Sequence, residues 1–196
     1  MSFTQADSTT DRAILEQVVQ LHLATLGDLF LSQLGSYFVD RYYDELRHDG
    51  GSLLGLWMDG PQVVGLAAGG LAPGQVFSRL GWRRLEFSLQ MLRALARRPR
   101  LLGQLLASLG GVEDLPSSQV ELTYFAVAPA RQGQGLGKQL LEAYAQWWTA
   151  RGMTGLSLSV EEENQGALRF YSRQGFQKLG AQKHGAYQRY LLRKPL

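Results

Sequence analysis

Two short stretches carry residue types at spacings that could do chemistry. The first is Gln132-Gly133-Gln134-Gly135-Leu136-Gly137-Lys138, which follows an apolar run ending at Val127 and opens a segment with helical periodicity. The first turn of a helix presents backbone N–H groups without intrahelical partners, at the positive end of the helix dipole. Glycines there let an anion reach the backbone, so the stretch reads as a phosphate site, with Lys138 adding a full charge. A P-loop needs glycine where Gln132 stands and Ser or Thr where Gln139 stands. A dinucleotide fingerprint needs G-x-G-x-x-G, whereas Gly133, Gly135 and Gly137 are spaced G-x-G-x-G. The second stretch is Asn164 to Phe176. Asn164, Ala167 and Tyr171 stand at i, i+3 and i+7, so they share one helical face along which a ligand can lie. A tyrosine so placed can equally be a core residue whose hydroxyl finds a partner.

The elements that must position these residues follow from periodicity. Apolar residues at helical spacing (Ile14, Leu15, Val18, Val19, Leu21) predict a helix over Asp11–Leu26 behind the cap-like Thr9, Thr10 and Asp11, with one or two short helices over Leu29–Leu46 around Gly35. Ser52–Met58 and Gln62–Gly69, joined by Asp59, Gly60 and Pro61, predict a hairpin. Val76–Leu109 reads as helical with a break near Pro99. Val120–Val127 has the pattern of a buried strand. A helix over Leu136–Arg151, a strand over Leu156–Val160, a helix over Gln165–Gln174 ended by Gly175, and strands over Phe176–Gly180 and Tyr187–Leu192 complete the chain. Helices between strands, with hairpins at both ends, imply a three-layer α/β or α+β domain over 1–196.

Composition narrows the chemistry further. The 196 residues contain no cysteine, which excludes disulfides, cysteine-ligated metals and a cysteine nucleophile. Met1–Thr10 is polar and no apolar stretch is long enough for a membrane span, so a cytoplasmic protein is expected. Between Gln75 and Val112 seven arginines face one acid, Glu86, so this segment carries +6 and the rest −3 of the chain's +3.

Gln132, Gly135 and Gly137 in a Q-x-x-G-x-G pattern, with Val127 and Pro129 leading in, resemble the pyrophosphate loop of the GNAT family of N-acetyltransferases. Asn164, Ala167, Phe170, Tyr171, Gly175 and Phe176 match the family's N-x-x-A-x-x-F-Y-x-x-x-G-F pattern, in family order. The resemblance covers Val120 to about Leu192 closely and thins toward the N-terminus. It implies a GNAT-like mixed, mostly antiparallel sheet flanked by helices, with a helical insertion between the third and fourth strands. It further implies acetyl-CoA as co-substrate, no metal, and an amine acceptor. Carried over by position, Phe125, Ala126 and Val127 would offer backbone groups to the pantetheine amide from a splayed strand, with Val127 N–H stabilising the oxyanion. Gln132, Gly133, Gln134, Gly135, Leu136, Gly137 and Lys138 would bind the pyrophosphate, Asn164 would contact the arm, and Tyr171 would protonate the leaving thiolate. Without cysteine, direct transfer to a primary amine is expected.

The general base stays open. Glu121 lies six residues before Val127, roughly 20 Å at about 3.3 Å per residue, which is too far unless the acceptor extends that way. Thr123 stands where some family members carry a carboxylate, which suggests a base reached through water. His22 and His184 are further candidates. His22, Phe30, Tyr42 and Tyr43 are candidate acceptor contacts, because the N-terminal helices occupy the place where the family builds its acceptor site. The rival classes are a non-catalytic acyl-CoA-binding regulator and a peripheral membrane module.

The insert at about 75–112 has its own pattern. At 100° per residue Phe77, Trp82, Leu85, Leu89, Leu92, Leu95 and Ala96 form one broad arc. Arg79, Arg83, Arg93, Arg97 and Arg98 lie mostly opposite, while Leu80, Phe87 and Met91 spoil the separation and thicken the apolar face. A helical pair packed on the sheet or on a second subunit is one expectation, a lid whose arginines select an anionic acceptor another. A membrane surface is open but less favoured, and nucleic acid is not expected, since the charges follow no reader motif.

Overall fold

Seven strands form the middle layer: β1 (Ser2–Ala6), β2 (Ser52–Asp59), β3 (Gln62–Gly70), β4 (Gln119–Val127), β5 (Gly155–Glu161), β6 (Gln177–His184) and β7 (Tyr187–Pro195). They assemble in the order β1-β2-β3-β4-β5-β7-β6, and every neighbouring pair is antiparallel except β4 with β5. The computed structural model describes residues 1–72, 76, 79, 85–103, 118–184 and 187–196, with the backbone alone at 182–184 and 187.

Helices α1 (Arg12–Thr25), α2 (Phe30–Leu34), α3 (Ser36–Leu46) and α4 (Leu85–Arg97) cover one face of the sheet, and α5 (Leu136–Thr149) and α6 (Gln165–Arg173) cover the other. The central strands are thus buried on both sides, which is why Leu53–Leu56 and Val63–Gly70 read as unbroken apolar or small runs. Asp11 caps α1 through a 2.8 Å bond from the Ala13 N–H. Gln17 ties that helix to the β2–β3 turn, accepting from Val63 N–H at 2.9 Å and donating to the Pro61 carbonyl at 3.2 Å.

Two features depart from the sequence reading. The polar N-terminus contributes the edge strand β1. Its Phe3 ring lies over Gly55 of β2, where a β carbon would come within 2.6 Å, and Gln5 accepts from the Trp147 indole of α5 at 3.2 Å. In α4 the buried side chains are Phe87, Met91 and Ala94, while Leu85, Leu89 and Leu92 are exposed. Of the expected apolar arc, Leu95 is half-buried against the core, whereas Leu85, Leu89 and Leu92 are turned away from it. The helix has two apolar faces, and the one holding the Phe87 ring, edge-on to Phe38 at 5.2 Å, is the one α3 accepts. Phe77, Trp82 and Arg83 lie outside the described residues.

β4 is not a regular strand. Its register against β3 passes from Ala68↔Tyr124 to Gly69↔Leu122, which leaves Thr123 as the extra residue of a bulge. The bulge reverses the facing of every later side chain. Val120 and Leu122 pack toward α5, whereas Tyr124 and Ala126 pack toward α1 and α3. Gly69 permits the approach to β4, while Gly70 permits a close approach to Gly51 and Ser52 on the other side of β3.

Candidate active site

β4 and β5 pair over three positions only, Gln119↔Gly155, Val120↔Leu156 and Glu121↔Ser157. Beyond Glu121 the strands part, β5 staying with β7 along its whole length while β4 stays with β3. The Ser157 hydroxyl, donating to the Val120 carbonyl at 3.2 Å, fastens the point where they separate. In an antiparallel ladder, residues alternate between exchanging hydrogen bonds with the partner strand and pointing those groups the other way. Ala128 N–H bonds the Val64 carbonyl of β3 at 2.9 Å. By alternation Ala126 also spends its groups on β3, and the N–H groups of Phe125 and Val127 face the gap. Of Phe125, Ala126 and Val127, the first and last have their N–H groups turned to the gap, and Ala126 has its groups turned to β3.

The gap leads to the start of α5. Gly133 (φ 73°) and Gly135 (φ 79°) both take the left-handed conformation that favours glycine, and at neither would a β carbon meet an atom within 4 Å. Gly135 is the N-cap of α5 with no side-chain cap, and the first intrahelical bond to it comes from Gln139. The N–H groups of Leu136, Gly137 and Lys138 are thus left for a ligand, in front of open space: the arrangement fits a pyrophosphate. The side chains divide otherwise than the spacing suggests. Gln132 turns inward and donates to the Val127 carbonyl at 3.0 Å, and Gln134 donates to the Ala130 carbonyl at 3.1 Å, so both shape the loop. Leu136 is buried in the core. Gly137 has the Phe170 ring 3.4 Å from where its β carbon would be, which makes it a packing glycine between α5 and α6. Lys138 is paired along the helix with Glu142 at 3.7 Å.

On the far wall of the gap, Asn164 is the N-cap of α6, its side chain accepting from Ala167 N–H at 3.0 Å. Tyr171 is 8 % exposed, ringed by Phe125, Phe170 and Phe176 at centroid distances of 6.2, 5.1 and 5.3 Å. Burial raises its hydroxyl well above the ordinary tyrosine value, so it stays protonated. The α6 terminus holds it in place: Gly175 is left-handed (φ 86°), and Phe176 N–H returns to the Tyr171 carbonyl at 3.1 Å.

Glu121 stands at the last paired register before the strands part, on the α1 and α3 side. Burial raises its carboxyl above the ordinary value, with the Arg189 charge working against the shift. Its charge also bears on the hydroxyls of Tyr42, Tyr124 and Tyr144. Glu121 marks the apex of the gap, and Val127 lies toward its mouth. The sequence signal for the bulge between them is Gly69 in an otherwise apolar strand, a mark of close approach.

The remaining candidates are placed less favourably. His22 is 0 % exposed, its Nδ1 sharing a 2.7 Å hydrogen bond with the Tyr43 hydroxyl and its ring edge-on to Tyr124. Burial lowers it to about 4, so it is neutral near pH 7. Tyr42 and Tyr43, the other candidate acceptor contacts on the N-terminal helices, are likewise fully buried. Phe30 opens α2, half-buried on the core. Thr123 is the bulge residue. The side chain of His184 lies outside the described ones. Among the described residues no three metal-ligating side chains gather, and no helix is long and apolar enough to cross a membrane.

Comparison with known proteins agrees with this geometry. The model of the acetyltransferase (GNAT) family matches residues 15–176. No curated protein sequence matches the chain. Among solved structures, a protein from Desulfovibrio desulfuricans described as a GNAT-family acetyltransferase superposes with TM-score 0.65 at 17 % identity, covering 99 % of this chain and 98 % of that one. The ribosomal-protein-S18-alanine N-acetyltransferase of Escherichia coli gives 0.59 at 15 %, covering 99 % and 94 %. An aminoglycoside 6'-N-acetyltransferase complexed with coenzyme A gives 0.66 at 9 %, covering 100 % and 97 %. Identities this low speak for the shared fold. The family match spans most of the chain, which belongs to the GNAT family of acetyltransferases, enzymes that use acetyl-CoA as acyl donor.

Proposed function

We propose that the protein moves an acetyl group from acetyl-CoA directly to a primary amine, in the gap where β4 parts from β5. The observation that carries this is the parting itself. It leaves the Phe125 and Val127 N–H groups facing a space bounded by the glycine loop at one end and by Glu121 at the other. When bound, acetyl-CoA supplies an acyl group activated as a thioester.

The chain's own residues would act as follows. The N–H groups at the start of α5 hold the pyrophosphate, and those of Phe125 and Val127 bind the donor's polar arm and the negative charge that builds on the acyl oxygen. Glu121, at the other end of the gap from Val127, takes through intervening water the proton the amine must lose. Burial raises its pKa, which makes the ionised form a better base than an exposed glutamate. As the carbon–nitrogen bond forms and the carbon–sulfur bond breaks, Tyr171 directs its hydroxyl proton to the sulfur. A raised tyrosine is a weaker acid than the ordinary one near 10, set against a thiol near 8.5. Its contribution is then chiefly the hydrogen bond that strengthens as charge collects on sulfur. Direct transfer suits a chain without cysteine.

The test is thiol release from acetyl-CoA with a panel of amines, with mass spectrometry of the product. Amine-dependent thiol release with a gain of one acetyl group on nitrogen is expected. Thiol release that ignores the amine, or an acetylated protein that persists as an intermediate, would contradict direct transfer.

A further inference from the structure

Outside the acyl-transfer gap, a cleft of about 270 Å³ opens where α4 meets the junction of α2 and α3. Its walls include Gln33 and Ser36 on one side and Gln90, Arg93, Arg97 and Arg98 on the other, with no acid among the described residues that line it. Gln90, Arg93 and Arg97 stand at i, i+3 and i+7, so one face of α4 delivers all three to the cleft. Arg93 and Arg97, four apart, repel each other on that face, and neither makes an ion pair with a described residue. Arg98 is held across the cleft by a 3.3 Å bond from its guanidinium to the Gln33 carbonyl. α3 begins here as well: its N-cap Gly35 has no side-chain cap, and no acid lies in its first turn.

Several described arginines are neutralised locally, Arg12 by Asp40 at 2.6 Å, Arg47 by Asp44 at 2.8 Å and Arg189 by Glu161 at 3.0 Å. What distinguishes Arg93 and Arg97 from other arginines without an ion pair to a described residue, such as Arg169 and Arg173, is that one helix face brings both to the same cleft, where their mutual repulsion is a cost that an anion between them would relieve. Guanidinium groups match phosphate and carboxylate oxygens two by two. The volume lies just under the roughly 300 Å³ at which small-molecule sites begin, so the cleft suits a charged group better than a whole large ligand.

We propose that this cleft is an anion site, taking the phosphate or carboxylate group of a small molecule between Arg93 and Arg97. The anion belongs either to the amine acceptor or to a separate ligand. Binding here does not depend on acyl transfer; the assignment to the acceptor does rest on the function proposed above.

The test uses the full chain saturated with CoA, which occupies the phosphate site at the start of α5. Inorganic phosphate is titrated in by calorimetry against sodium chloride of equal ionic strength. Saturable binding of one phosphate is expected, weakened about tenfold or more by Arg93→Gln with Arg97→Gln. Arg100→Gln, an arginine outside the cleft, should leave it unchanged. CoA affinity equal to wild type shows that the variants are folded; if CoA does not bind at all, the same comparison is made on the free protein. A second arm compares kcat/KM for O-phosphoethanolamine and ethanolamine. Loss of a preference for the phosphorylated amine in the double variant assigns the anion to the acceptor, and unchanged values alongside lost phosphate binding assign it to a separate ligand. Absence of saturable phosphate binding, or equal weakening by Arg100→Gln, would overturn the proposal. So would charge-dependent sedimentation with phosphatidylserine vesicles in a protein that ignores phosphate, which would make the arginines a lipid-surface contact.

Discussion

Gly69 of β3 and Glu121 of β4 approach so closely that a β carbon on the glycine would stand 1.9 Å from the Glu121 carbonyl oxygen. Only glycine permits this contact, and the contact is the bulge that leaves Thr123 unpaired and sets Glu121 at the apex of the gap. Gly69→Ala must push the strands apart. A loss of about 3 kcal/mol or more is expected in urea unfolding, as for overpacking against backbone that cannot yield. A change within about 0.5 kcal/mol would mean that the bulge is adaptable and not fixed by the glycine.

His22 gives a pH dependence with a definite sign. Its folded value is lowered to about 4 from 6.5, so in that interval the unfolded chain binds a proton that the native protein does not. Stability therefore falls as the pH drops from about 6.5 toward 4, by an amount on the order of 3 kcal/mol. His22→Gln should remove that part of the slope whatever its effect on absolute stability. Chemical denaturation of both proteins between pH 7 and pH 4.5 reads the difference, and parallel curves would show that His22 titrates normally.

Glu121 has the opposite sign. Burial raises its carboxyl, so the folded chain binds that proton more readily than the unfolded one and stability falls as the pH rises from the unfolded value through the folded one. Glu121→Gln removes this loss and should leave stability near pH 7 unchanged or higher. Activity should move the other way, with kcat/KM down about 10²- to 10⁴-fold and the acidic limb of the pH–rate profile removed. A variant that keeps both activity and the acidic limb would send the search for the base elsewhere.

Tyr171→Phe keeps the ring that packs against Phe125, Phe170 and Phe176 and removes only the hydroxyl. Turnover is expected to fall by about 10²-fold with CoA affinity little changed, the pattern of an interaction made mainly in the transition state. Turnover within about a factor of two of wild type would make Tyr171 a packing residue.

The parts of this site written locally in the chain were legible. Gly133, Gly135 and the start of α5 follow from glycine spacing ahead of a helical period, and Tyr171 with Gly175 from a helix with its stop signal. The parts that depend on contacts distant in sequence were not. β1 is polar because it is an edge strand, made a strand by Phe3 over Gly55 and Gln5 under Trp147. In α4 the choice between two apolar faces was made by Phe38, fully 49 residues before Phe87. The bulge at Thr123 rests on Gly69, on a different strand from the residues it repositions.

The central claim is that the glycine loop at the start of α5 holds the donor's pyrophosphate, and acetyl-CoA titration into wild type and Gly135→Glu tests it most directly. Gly135 is the left-handed N-cap of α5, so glutamate there adds backbone strain, bulk and a negative charge where the phosphates would lie. Circular dichroism and thermal unfolding first establish that the variant is folded. Saturable binding to wild type and loss of at least about 10²-fold in affinity in the folded variant is the expected result. Equal affinity in the two proteins would place the donor elsewhere and contradict the account.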